Sequence, residues 1–197
     1  MEGPGNEADE MQAMHYRDAA ERYGLTEAET SAVLSYKSSE SYKINAKLRD
    51  GIALTEAEQA MVGELDRALE KLPRVEGTVF RTLNFDNVFY AKEEYEAFIV
   101  QHAEGNFTLY KAYTSTSTKA NGYPLAEGAR YGVTLEISGR NARDLAGFGN
   151  NFENEAVFPR EVTFIVTKVT TDKNGYAHIY LEEAEADAQG NEPNYDT

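Results

Sequence analysis

Phe148-Gly149-Asn150-Asn151-Phe152-Glu153-Asn154-Glu155-Ala156-Val157-Phe158-Pro159 joins a loose Gly/Asn run to an apolar run, with two glutamates at i and i+2 between them. If the chain is extended from Glu153 onward, side chains alternate and Glu153 and Glu155 share one face. Two carboxylates held that close repel each other. The bland reading is an exposed strand edge that tolerates two solvated acids. The other is a site that needs both.

Outward from this stretch the chain reads as strands. Val162 to Thr170 is one, Lys173-Asn174-Gly175 is a hairpin turn, and Tyr176 to Leu181 returns. Upstream, Tyr131, Val133, Leu135 and Ile137 alternate as another strand, Asn121-Gly122 and Pro124 mark a loop, and Phe107 to Tyr113 alternates and runs into Thr114-Ser115-Thr116-Ser117-Thr118. Glu93 to Gln101 reads as a helix with Tyr95, Phe98 and Ile99 as its inner stripe. Thr78 to Leu83 is a β-prone run with Arg81 among apolar neighbours. That is an odd place for a solvated edge residue and a reasonable one for binding an anion.

Before Pro73 the grammar is helical. Thr26 with Glu29 and Thr55 with Glu58 are capping-box signatures. After Thr55, Met61, Leu65, Ala68, Leu69 and Leu72 fall on one helical face, and Pro73 stops the run. Between them, the second half of Tyr36 to Arg49 reads as a short helix with Ile44 and Leu48 inward, ended by Gly51. The fold class is therefore α+β, a helical N-terminal third before a mainly antiparallel sheet assembly. Residues 10–183 read as a single domain with a helical part over 10–73 and a β-rich part over 74–183. Residues 1–9 and 184–197 read as flexible flanks.

Composition bounds the partners. The chain has 197 residues and a formal net charge of -15, which argues against nucleic-acid backbones and anionic membrane surfaces. It has no cysteine, so disulfides and thiolate metal sites are excluded. His15, His102 and His178 are far apart, and no metal site is expected. No apolar run reaches membrane-spanning length, and the acidic N-terminus lacks the features of a signal peptide, which leaves location open.

Three features line up in chain order: Val79-Phe80-Arg81, then Tyr113-Thr114-Ser115-Thr116-Ser117, then Glu153-Asn154-Glu155-Ala156-Val157-Phe158-Pro159. Each alone is weak. Together, at these separations, they resemble the mono-ADP-ribosyltransferase family of the bacterial exotoxin type. The segment with Tyr36, Tyr42, Asn45 and Arg49 looks like the helix that precedes the first strand in those toxins, so the resemblance covers Ala32 to Leu181. It implies N-terminal helices packed on a mixed, mainly antiparallel two-sheet β-sandwich core. It also implies NAD as a substrate, no metal, and transfer of ADP-ribose to a protein side chain.

By the same resemblance, Glu155 is the catalytic glutamate, and Glu153 engages the acceptor guanidinium in arginine-specific members. Many asparagine-modifying relatives carry Gln there, so Glu153 favours an exposed arginine on a protein partner. Ser115 is expected to hydrogen-bond Glu155, and Arg81 to bind the NAD pyrophosphate. Main-chain groups next to Arg81, at Thr82, are expected to hold the nicotinamide amide. Thr116 and Ser117 complete the cofactor-binding set, mainly as the pocket floor. Tyr36 and Asn45 join that set if they close over the cofactor, with plain packing as the alternative. Relatives commonly have Gly where Thr82 stands, and an aromatic residue where Asn150 stands. Asn150 and Phe148 are the residues expected on the acceptor side, with Phe148 substituting for the missing aromatic. The implied setting is a toxin or phage-borne effector, secreted or delivered into a target-cell cytoplasm, with room for a cognate immunity protein or antitoxin. An NAD glycohydrolase and a non-catalytic binding module remain as alternatives. A dinucleotide-binding Rossmann domain does not, because no Gly-rich phosphate loop follows a first strand.

Overall fold

The structure, a computed structural model, describes residues 16–86, 89–120, 122, 124–149 and 154–185. The terminal segments expected to be flexible lie wholly or almost wholly outside these residues.

Helical residues 16–22 (α1) lead into α2 (Glu27–Tyr36), α3 (Glu40–Asp50) and α4 (Glu56–Lys71). Both capping boxes form. Thr26 Oγ1 accepts from the Glu29 amide at 3.1 Å while Glu29 Oε2 accepts from the Thr26 amide at 2.9 Å, and Thr55 and Glu58 repeat the arrangement. Gly51 ends α3 at φ 65°, in the left-handed region that glycine adopts without strain. Val33, Leu65, Leu69 and Leu72 bury one side of this layer against Leu145 and Val157 of the sheet half.

The strands are β1 (Arg74–Asn84), β2 (Phe107–Tyr110), β3 (Thr114–Ser117), β4 (Gly132–Asp144), β5 (Glu155–Phe158), β6 (Val162–Thr171) and β7 (Ala177–Glu183), with α5 (Ala91–Gln101) between β1 and β2. They form one mixed seven-stranded sheet in the order β1-β3-β5-β4-β7-β6-β2, with β1 also paired to β4. Every pairing is antiparallel except β4 with β7. Two separate sheets were expected. Here β4 pairs with β1, β5 and β7, so hydrogen bonding runs through the whole assembly. The sheet nevertheless curls on itself: Phe158 of β5 meets Phe164 of β6 edge to face at 5.1 Å, although the two strands are not neighbours. This contact closes a core with Val79, Leu135, Ile137 and Ile179.

Two strand expectations change. The run from Phe107 to Tyr113 breaks after Tyr110, so that β2 pairs with β6 while β3 pairs with β5 and β1. The cause is Tyr113, which leaves the sheet to bury itself among the helices and donates to Asp66 Oδ1 at 2.5 Å. The extended run expected from Glu153 starts instead at Glu155, because Asn154 has a φ of 44°. Glu153 itself lies outside the described residues.

Candidate active site

β5 alternates cleanly. Ala156 and Phe158 face the strand core, while Glu155 and Val157 face the helical layer. Glu155 is only 8% exposed, so the reading of a solvated edge acid fails. Register places Ser117 opposite Glu155 and Ser115 opposite Val157, which puts both serines on the face of Glu155.

That face is covered by the end of α2. Tyr36, 2% exposed, shares a 2.8 Å hydrogen bond with Ser115 Oγ and accepts from Asn45 Nδ2 at 3.3 Å. Its ring packs edge to face on Tyr113 at 5.5 Å. Burial pushes the Tyr36 phenol above its ordinary value, and the Ser115 and Asn45 hydrogen bonds offset part of that. The Glu155 carboxylate adds to the rise and the Arg81 guanidinium opposes it, so Tyr36 stands within reach of both charges. Tyr36 therefore packs against the site serine from the helical side.

Ser115 does not hold Glu155. Its hydroxyl is engaged by Tyr36, and the carboxylate is held by Lys37, whose Nζ donates to Oε2 at 2.6 Å. Nothing in the sequence near Lys37 links it to an acid 118 positions away. Its only local signal is a cation at a helix C-terminus, where the dipole favours one.

Arg81 lies on the apolar face of β1, between Val79 and Leu83 and opposite Leu135. Its Nη1 donates to the Ser115 carbonyl at 2.7 Å. Its side chain also lines a cleft of about 450 Å³ with Arg49, Leu135, Phe98, His102 and Tyr110. Arg81 thus joins that cleft to the strand that carries Ser115. Sequence reasoning left Arg49 and His102 out of the site. The Arg49 signal was its place beside Tyr36, Tyr42 and Asn45 in the helical segment that carries the family resemblance, whereas His102 carried none.

The buried His102 ring is fixed by two partners. The Phe98 carbonyl only accepts, so Nδ1 carries the proton at 2.8 Å from it, and Nε2 accepts from Tyr110 OH at 2.8 Å. Burial lowers the His102 imidazole below its ordinary value, with the Phe98 hydrogen bond offsetting part of the shift. Burial also raises the Tyr110 phenol far up.

The remaining expected residues separate. Thr116 is fully buried and donates to the Ala156 carbonyl at 2.6 Å, which ties β3 to β5. Ser117 Oγ accepts from the Lys119 amide at 3.1 Å. Thr82 pairs with Thr134, and its side chain borders a different cavity, beside Leu125 and Tyr176. Phe148, expected at an acceptor surface, is corrected: a short 3-10 turn (Ala146–Phe148) folds it into the helical core at 2% exposure. Glu153 and Asn150 lie outside the described residues.

The sequence profile of the ADP-ribosyltransferase exoenzyme family matches residues 10–186. The chain is 29% identical over 153 residues to the Mycobacterium avium (strain 104) protein Mav, provisionally named an NAD(+)--arginine ADP-ribosyltransferase. That match covers 75% of this chain and 17% of Mav, so the chain spans about a sixth of its relative. Among solved structures, the Vis toxin, an ADP-ribosyltransferase from Vibrio splendidus, aligns with a TM-score of 0.65 at 21% identity, over 95% of this chain and 89% of Vis. Vis is also seen in complex with agmatine. The C3 exoenzyme of Clostridium limosum aligns with a TM-score of 0.64 at 18% identity, over 90% of this chain and 94% of that one. Fold, motif order and the profile over nearly the whole chain agree, and the chain belongs to the ADP-ribosyltransferase exoenzyme family.

Proposed function

We propose that this chain is a mono-ADP-ribosyltransferase that takes NAD as substrate, breaks the bond between nicotinamide and ribose, and transfers ADP-ribose to an arginine of a protein partner. The observation that carries the reading is the convergence of three distant segments. Glu155 is buried on the face that Ser115 shares, and Arg81 is tied to the Ser115 carbonyl.

As the glycosidic bond breaks, nicotinamide leaves with the electron pair and positive charge develops on the ribose. A buried carboxylate at Glu155 stabilises that charge more in the transition state than in the ground state. The two guanidinium groups of Arg49 and Arg81 line one cleft, and their fork geometry suits a diphosphate. Main-chain groups at Arg81 and Thr82 hold the nicotinamide amide, Thr116 and Ser117 brace the floor, and Asn45 faces the cofactor. Glu153 pairs with the acceptor guanidinium, takes a proton from it late, and works beside Asn150. Arginine as acceptor is supported by a Glu rather than a Gln at position 153, by the name of Mav, and by the guanidine agmatine bound to Vis.

We read residues 10–183 as one domain and the two halves of the curled sheet as the layers of a sandwich. A secreted or delivered effector, with a protein target and a cognate immunity protein, fits this reading. One observation favours water as acceptor instead. The aromatic expected on the acceptor side is Asn150 in this sequence, and Phe148, its substitute, is buried. An NAD glycohydrolase is therefore the second reading.

The test is incubation with labelled NAD and a cell lysate, with agmatine as competitor and Glu155→Gln as control. A discrete labelled band that agmatine reduces and Glu155→Gln abolishes is the expected result. Nicotinamide release without a band favours the glycohydrolase. Unchanged turnover in Glu155→Gln would sink the mechanism. Glu153→Gln should lower transfer much more than hydrolysis.

A further inference from the structure

Helix α2 delivers two consecutive side chains to the site. Tyr36 engages Ser115, and Lys37, the residue that caps the helix, reaches Glu155 Oε2 at 2.6 Å. The Lys37 and Glu155 side chains are 13% and 9% exposed, so salt and solvent screen the pair little. No other described residue donates to this carboxylate, and the serine that the family resemblance assigned to it is committed to Tyr36. The fold clears a path for the lysine. A Cβ at Gly149 would lie 2.9 Å from Lys37 Cε, and Gly149 has φ 153° and ψ -152°, a conformation open essentially to glycine alone.

We propose that Lys37 is the positioning residue of Glu155: it pins Oε2, fixes the carboxylate rotamer and leaves Oε1 for a substrate hydroxyl. This rests on the reading of Glu155 as the carboxylate that acts on NAD. Lys37 acts through Glu155 and needs no contact with a reacting atom. A carboxylate already held in place needs no reorganisation as charge develops beside it. A carboxylate left to rotate must be ordered in every turnover.

The test compares Lys37→Met, Lys37→Arg, Glu155→Gln and the Lys37→Met/Glu155→Gln double variant, by nicotinamide release across an NAD titration and by urea unfolding. Lys37→Met is expected to lower kcat about 10- to 100-fold, the scale of a misplaced catalytic group. KM for NAD should stay within about threefold, because Lys37 itself needs no contact with NAD. Lys37→Arg should recover at least about a third of the wild-type kcat, since a guanidinium also pairs with a carboxylate. In unfolding, Lys37→Met leaves Glu155 buried and unpaired, and Glu155→Gln relieves that loss, so the unfolding constants should depart from additivity about tenfold. A kcat that Lys37→Met leaves unchanged overturns the proposal, and so does additive unfolding. A higher kcat would make Lys37 a brake and overturn it too. A wild type that releases no nicotinamide overturns the reading of the site instead, and the unfolding cycle then reports by itself whether Lys37 holds Glu155.

Discussion

The hydroxyls of Tyr36 and Ser115 lie 2.8 Å apart, joining the end of a helix to a strand 79 residues later. The phenol oxygen also accepts from Asn45 Nδ2, and either hydroxyl can donate in the bond to Ser115. One buried side chain thus fixes the position of a site serine and of an amide on α3.

Tyr36→Phe keeps the ring against Tyr113 and removes both bonds. We expect a loss of about 1–2 kcal/mol in urea unfolding, the net worth of a buried hydrogen bond with one partner left unsatisfied. Ser115→Ala should then cost less in the Tyr36→Phe background than in the wild type, because the two residues share one bond. Additive losses would mean that the bond does not contribute.

Arg81→Lys tests the link between the cleft and the Ser115 strand. A lysine keeps the charge but not the fork that serves both the Ser115 carbonyl and the cleft. We expect kcat/KM for NAD cleavage to fall by about 10- to 100-fold, mostly through KM, as for a lost charged hydrogen bond worth about 1.5–3 kcal/mol. Unchanged KM would move the diphosphate away from Arg81.

What was legible in the sequence was local or periodic. The capping boxes span three residues each, and the alternation from Tyr131 to Ile137 marks a strand whatever lies beside it. Arg81 was legible as a charge among apolar neighbours. Lys111-Ala112-Tyr113 continues the alternation of β2, and only the helical core that takes in Tyr113 explains why the strand stops. Phe148 reads as a loop aromatic until a short turn carries it inward. Lys37 and Glu155 meet because the end of α2 lies beside the start of β5, a relation between elements that no spacing along the chain encodes.

His102 should make the fold sensitive to acid. Burial holds its imidazole below the ordinary 6.5, so the unfolded chain takes up a proton first as pH falls. The contribution to stability is present above about 6.5 and is lost as pH drops through the lower folded value. Protonation would also turn Nε2 from acceptor to donor against Tyr110 OH. The drop in melting temperature between about pH 7.5 and about pH 5 should be smaller in His102→Gln than in the wild type. Equal drops would assign the acid sensitivity to other groups.

Gly149→Ala tests whether the space given to Lys37 matters. The added Cβ would lie 2.9 Å from Lys37 Cε, in a backbone conformation that alanine does not tolerate. The strain alone costs about 1–3 kcal/mol in unfolding. If the lysine is also displaced from Glu155, nicotinamide release should fall with it. Lys37→Met should then lower kcat much less in the Gly149→Ala background than in the wild type, because the contact it removes is already lost. A Gly149→Ala enzyme with wild-type kcat and reduced stability would mean that Lys37 finds another path to Glu155. The glycine would then serve the backbone turn alone.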